Sequence, residues 1–152
     1  MTYDIRCDTD TKHPRSYPDI MVKSPETGSD AEPFWYTHVI GVFHTLVSSS
    51  HMGVVDKSLQ RMDFLWVQWF GVEPGWYQYG IRYAWLPKIG FVEASNTYAF
   101  TFLDPTQAIR GVHLIPTFSE GCTSALLPTA KSVAHVLNPE DNDDWVNFYV
   151  NM

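Results

Sequence analysis

Cysteine is scarce in this chain. Cys7 and Cys122 are its two thiols, and neither stands in a CxxC or other metal-ligand spacing, which suits a reducing compartment better than a disulfide scaffold. Positive charge is also in short supply, with ten Lys and Arg against seventeen Asp and Glu and a net charge of −7. The excess acid sits at the ends. Residues 1–32 hold seven acids and four bases, residues 140–152 hold four acids and no base, and residues 33–139 balance at six of each. No basic stripe exists to attract phosphate, so direct nucleic-acid binding by this chain alone is not expected. No apolar run approaches the roughly 20 residues of a membrane span. The opening Met1-Thr2-Tyr3-Asp4-Ile5-Arg6 lacks the greasy stretch of a secretory signal. Gly-rich phosphate loops, internal repeats and low-complexity blocks are missing as well. The expectation is a soluble, intracellular chain with no cofactor and no membrane partner.

Apolar residues make up 45% of the chain and aromatics 15%, enough for a packed core in one domain. They concentrate in Phe64-Leu65-Trp66-Val67-Gln68-Trp69-Phe70, which stops at Glu73-Pro74-Gly75. A run this short, aromatic and abruptly ended reads as a strand. Alternation places Phe64, Trp66, Gln68 and Phe70 on one face and Leu65, Val67 and Trp69 on the other. Both faces are apolar, so neighbours must cover the strand from two sides.

The rest of the chain reads as its covering. Residues 1–32 form an irregular N-terminal arm with one short strand, Asp19 to Val22, suited to a sheet edge. Phe34 to Val47 is long for one strand and holds Gly41 in its interior, where a bend or bulge is expected. Val54 to Arg61 reads as loop. Trp76 to Leu86 reads as a strand forming a hairpin with the central one, and Lys88 to Val92 and Tyr98 to Leu103 as further strands. Asp104-Pro105-Thr106-Gln107 combines an N-cap acid, Pro at the first helical position and Gln at the capping-box position, which predicts a single helical turn. Ile109 to Ile115 resumes as strand. Residues 117–143 are loop with a short helix at Ser132 to Val136, and Trp145 to Val150 is extended. The β-rich domain spans residues 33–139, and the acidic, aromatic segment 140–152 can belong to it. The fold class is mainly β: a small antiparallel barrel-like or sandwich domain with one short helical turn and long irregular termini.

No constellation of catalytic, metal or cofactor residues emerges. Six histidines are present, with His38 and His44 expected on one face of their strand and His113 beside Ile109 and Ile115. Positions so far apart do not chelate one ion, and hydrogen-bonded core histidines explain them. Ser119 to Ser124, around Cys122, lacks the Gly-x-Ser-x-Gly elbow and any thiol-protease signature. Asp56, Asp63, Glu73, Glu93, Asp104 and Glu120 fall at turns and loops. The aromatics Trp66, Trp69, Trp76, Tyr77, Tyr79, Tyr83 and Trp85 crowd one hairpin, and most belong to a core. Two or three of them left open would form a cage for a cationic or extended peptide, with Trp69, Trp76, Tyr77 and Tyr79 as the candidate contacts.

An ordered series of segments carries a family resemblance. It begins with Tyr3-Asp4-Ile5-Arg6, Asp10, Pro14-Arg15 and Asp19-Ile20-Met21-Val22, then Phe34-Trp35-Tyr36 and Val39-Ile40-Gly41-Val42-Phe43-His44. The central run through Gly75 follows, with Leu86-Pro87-Lys88-Ile89-Gly90-Phe91-Val92 and Phe102-Leu103-Asp104-Pro105 after it. Ile109-Arg110-Gly111-Val112-His113-Leu114-Ile115-Pro116 and Asp144-Trp145-Val146-Asn147-Phe148-Tyr149-Val150-Asn151-Met152 complete it. Together they resemble the carboxy-terminal region of Plavaka-type transposase-like proteins of mushroom-forming fungi, over essentially the whole chain. The family's nuclease core is an acidic triad upstream, and its pattern continues beyond Met152 into a basic, Gly-rich segment. The resemblance therefore implies a fragment without the nuclease core, nuclear in location, meeting protein or chromatin partners and carrying no catalytic residue. The one-turn helix followed by Ile109-Arg110-Gly111-Val112-His113 also looks like the end of a bromo-adjacent homology domain, a chromatin-binding β-barrel.

Overall fold

A computed structural model describes residues 6–7, 19–28, 31–49, 53, 58–72, 86–123 and 144–151. Val67 and Gln68, successive residues that point to opposite faces of one strand, are both fully shielded from solvent. That strand is β4, Gln60–Val72, and its neighbours do cover it from two sides. The others are β1 (Arg6–Cys7), β2 (Asp19–Lys23), β3 (Phe34–Val47), β5 (Lys88–Phe91), β6 (Phe100–Leu103), β7 (Ala108–Gly111), β8 (His113–Pro116), β9 (Cys122–Thr123), β10 (Asp144–Trp145) and β11 (Asn147–Asn151). The protein is mainly β and its pairings are antiparallel.

The main sheet runs β7-β2-β3-β4-β5-β11-β8, with β1 added beside β3 and β6 beside β4. One side of β4 is taken by β3. The other is shared, with β6 along Leu65 to Gln68 and β5 along Phe70 to Val72. One face of the sheet gathers Met21, Tyr36, Phe70, Ile89, Val112 and Val150, and the other gathers Val22, Leu65, Val67 and Leu103.

The hydrogen-bonded sheet is not a closed barrel: no ladder joins β7 to β8. Yet these two end strands are consecutive in the chain, separated by Val112 alone. Val112 is buried, and its N–H donates to the Asp19 carbonyl at 2.9 Å. The segment read as one strand from Ile109 to Ile115 is thus broken at Val112, each half serving an opposite end of the sheet.

Other expectations meet the structure in similar detail. The long strand is continuous over fourteen residues and carries its register shift between Val39 and Gly41. That shift has a consequence for the histidines. His38 pairs with Gln68 and His44 with Asp63, residues on opposite faces of β4, so the two imidazoles do not share a face. The Asp19–Lys23 strand is no edge, because β3 flanks it on one side and β7 on the other. The central strand begins at Gln60, inside the stretch read as loop. Asp104 caps a 3-10 turn, Pro105–Gln107, accepting bonds from the Thr106 N–H and hydroxyl at 2.8 and 2.7 Å. These two bonds, the hydroxyl first, hold the Asp104 carboxyl below its usual value. A second 3-10 turn, Phe118–Glu120, has no counterpart in the sequence reading. Residues 76–85 of the expected Trp76–Leu86 strand and the expected Ser132–Val136 helix lie outside the described residues, and Leu86 itself is not in a strand.

Candidate functional site

Trp69 is the pivot of a surface feature built among the described residues. Strands β5 and β6 lie end to end along β4, and residues 92–99 leave the sheet between them. Both ends of this excursion fasten to the Trp69 backbone: its N–H donates to the Ala99 carbonyl at 2.8 Å, and its carbonyl accepts from the Val92 N–H at 2.9 Å. The excursion is tied internally, with Tyr98 N–H on Asn96 Oδ1 at 2.9 Å and Ala99 N–H on the Asn96 carbonyl at 3.0 Å. Its tip holds Tyr98, 83% exposed.

Register brings a second indole to the first. Thr37 pairs with Trp69, and Trp35, two residues along β3, lies on the same face as Thr37. The two rings meet edge to face with centroids 5.6 Å apart, a favoured geometry for aromatic pairs. Below them Thr37 is fully buried, its hydroxyl donating to the Gln68 carbonyl at 2.7 Å.

A cleft of about 660 Å³ opens beside this pair. Phe34, Trp35, Tyr36, Trp69, Phe70, Tyr98 and Phe100 contribute to its wall, and Glu26 and Glu32 come from the connector between β2 and β3. The connector holds these acids in place. Glu26 N–H donates to Ser24 Oγ at 3.0 Å, and Glu32 N–H donates to Glu26 Oε2 at 3.1 Å. Ser24 N–H closes the base of the connector on the Pro33 carbonyl at 3.1 Å. Among the described residues no Lys or Arg lines this cleft. Aromatic faces together with acidic residues in the lining, the Glu26 carboxylate tied to the Glu32 amide, suit a cation carried on an apolar stem.

A second polar cluster sits elsewhere. Buried Lys88 donates from Nζ to Glu120 Oε1, while Asn147 Nδ2 donates to Glu120 Oε2 at 2.8 Å. The bonds from Lys88 and then Asn147 hold the Glu120 carboxyl below its usual value. Thr117 adds a hydroxyl that donates to the Asn147 carbonyl at 2.7 Å. Every bond here links β5, β11 and the second 3-10 turn, so the cluster reads as a clamp. The Asp19 carboxylate and His38 Nδ1 lie 2.8 Å apart across the β2–β3 pairing. Among the described residues no three His, Cys, Asp or Glu side chains gather as metal ligands would. No described helix is long and apolar enough to cross a membrane.

Of the sequence candidates, Trp69 stands in the cleft wall, while Trp76, Tyr77 and Tyr79 lie outside the described residues. Trp35, Tyr98, Glu26 and Glu32 were not anticipated. The signal for Trp35 lay in register, which follows from the bulge and not from composition. Both glutamates belong to the arm read as irregular. Comparisons with protein family models, curated proteins and solved structures return no match.

Proposed function

We propose that this chain is a non-catalytic accessory domain of a transposon-derived, transposase-like protein, and that it works by holding a segment of a protein partner in the Trp35–Trp69 cleft. The parentage rests on the ordered motifs that resemble the Plavaka-type carboxy-terminal region, as does a nuclear setting with chromatin proteins among the partners. The mode of action rests on one observation: two indoles packed edge to face wall a cleft whose lining includes two acidic residues. A lysine side chain, methylated or not, offers what this arrangement accepts. Its stem covers apolar wall, and its ammonium lies over the rings beside Glu26 and Glu32. Cation–π attraction of this kind contributes about 0.5–2 kcal/mol depending on desolvation. The same carboxylates oppose a nucleic-acid backbone. A stand-alone peptide-recognition module, like a bromo-adjacent homology domain, would use the same cleft and differ only in parent protein.

Lysine peptides, unmodified and trimethylated, titrated into the full chain provide the test, read by tryptophan emission. A saturable change is expected, weakened severalfold by Tyr98→Ala and by Glu26→Gln, both exposed substitutions that spare the core. No change at millimolar peptide, with the protein folded by circular dichroism, refutes the reading. Metal-dependent DNA nicking by the purified chain would refute the non-catalytic assignment.

A further inference from the structure

Strand β6 presents an unguarded sheet edge. It pairs with β4 and with no other strand among the described residues. The direction of its free backbone groups follows from the ladder. Leu65 stands opposite Leu103 and Val67 opposite Thr101, and the same register continues to Trp69 and Ala99, where the Trp69 N–H donates to the Ala99 carbonyl at 2.8 Å. Bonded and non-bonded pairs alternate along an antiparallel ladder. Thr101 and Leu103 therefore bond to β4, while Phe100 and Phe102 turn their N–H and carbonyl groups outward. The partner strand agrees: the carbonyl of Gln68, opposite Phe100, points to β3 and accepts the Thr37 hydroxyl. The outward Phe102 carbonyl meets the exposed Thr101 hydroxyl at 3.3 Å, a weak bond. Exposed edges are ordinarily guarded by charge, proline or a bulge. At the two ends of the main sheet, β7 carries Arg110 and β8 carries Pro116. Phe100-Thr101-Phe102-Leu103 has neither charge nor proline, and its pairing with β4 runs without a register shift.

We propose that this edge is a second contact surface, independent of the Trp35–Trp69 cleft, that takes an extended, lysine-flanked segment of a protein partner as an antiparallel strand beside β6. Main-chain bonds to Phe100 and Phe102 set its register. Residues directly opposite each other in such a pair share one face of the sheet, so the partner residues bonded to Phe100 and Phe102 lay their side chains beside those two rings. That face is apolar. The Phe102 ring, 65% exposed, has its centroid 4.7 Å from that of Trp66 and 5.3 Å from that of Phe64, and the Phe100 ring stacks on Trp66 at 5.8 Å. It suits Val, Ile or an aromatic at alternate positions of the added strand. Charge selects the occupant. Across residues 93–107, which hold the edge and both its flanks, the charged residues are Glu93 and Asp104, both acidic and both exposed. A second copy would bring the same acids, on a chain of net charge −7, to the seam. Lysines on either side of the added segment meet acids instead.

The test is amide-resolved hydrogen exchange by NMR on the dilute full chain, alone and with a capped peptide in which alternating Val-Thr-Val-Thr-Val is flanked by paired lysines. In the free chain the Thr101 and Leu103 amides should exchange slowly and those of Phe100 and Phe102 fast. With peptide at about ten times its Kd, the Phe100 and Phe102 amides should slow about tenfold. N-methylation of the valines removes the donors aimed at Phe100 and Phe102 and should abolish this protection, whereas N-methylation of the threonines should leave it. Glutamates in place of the lysines should weaken binding about threefold or more. Phe102→Pro takes away an outward N–H and no bond to β4, and Phe102→Lys guards the edge with charge while keeping every main-chain bond; both should weaken binding. Glu26→Gln, in the cleft, should leave the edge protection unchanged. Phe100 and Phe102 amides already as slow as Thr101 and Leu103 in the free chain would mean that a second copy or another segment of this chain occupies the edge, and the inference is overturned. It is likewise overturned if peptide slows neither amide, if both methylation patterns act alike, or if Glu26→Gln removes the protection. The cleft reading is judged separately, by its own lysine titration.

Discussion

Removing Glu120 is expected to damage the fold more than removing Lys88, although the two form one ion pair. The Lys88 side chain is 11% exposed and the Glu120 side chain 34%. Glu120→Ala takes away the carboxylate that neutralises a buried ammonium, together with the acceptor used by the Asn147 side chain. Breaking one side of a fully buried pair costs about 3–5 kcal/mol. Water reaches the carboxylate here and screens part of the loss, so about 2–3 kcal/mol is expected. Lys88→Met keeps the apolar stem in place and leaves a carboxylate that is partly hydrated and still bonded by Asn147, a loss of about 1 kcal/mol. Urea unfolding at pH 7, followed by tryptophan fluorescence, ranks the two variants. The pair should also show in acid. Because the folded carboxyl is held low, the unfolded chain binds its proton first as pH falls. Its stabilising contribution is complete above the ordinary glutamate value of about 4.3 and is lost as pH drops through the lower folded value. Stability of Glu120→Gln should accordingly fall less steeply than that of the parent below this point. A Lys88→Met variant less stable than Glu120→Ala, or identical acid limbs for parent and Glu120→Gln, would refute the reasoning.

Two further outcomes follow from packing. Ile89, fully buried between the chains of β4 and β11, should lose about 2–5 kcal/mol on truncation to Ala, measured by the same urea titration; a loss under 1 kcal/mol would show that the site collapses freely. At Gly90 an added Cβ would press on the Asn147 side chain and stand 3.0 Å from the Val146 carbonyl oxygen. Gly90→Ala should therefore cost about 1–3 kcal/mol, and an unchanged midpoint would mean that β11 yields without penalty.

Much of the scaffold was legible because its signals are local. The two-faced apolar run from Phe64 to Phe70 required cover on both sides, and Val67 and Gln68 receive it. Gly41 in an overlong strand marked the bulge, and Asp104-Pro105 marked the 3-10 turn. What escaped depends on pairing. The bulge that Gly41 announced also moved His44 to the face opposite His38, a step that needs the partner strand's register. Trp35 reaches Trp69 only because Thr37 pairs with it, and nothing in Phe34-Trp35-Tyr36 names that partner. Glu26 and Glu32 are fixed by bonds within a connector whose composition says only that it is polar. A barrel-like or sandwich domain was expected, and the break at Val112, directly after Gly111, was hidden because which end of the sheet each half of Ile109 to Ile115 joins depends on its partner strands.

That break has a bearing on how the domain opens. In an ordinary open sheet the two outermost strands fray independently, each with its own small opening free energy. Here a single residue ties them: peeling away Ala108–Gly111 pulls on the Val112 amide bonded to Asp19, and Val112 in turn leads straight into His113–Pro116 against β11. The extremities of the sheet are thus mechanically one unit, and subglobal breathing at either margin is drawn toward the all-or-none event.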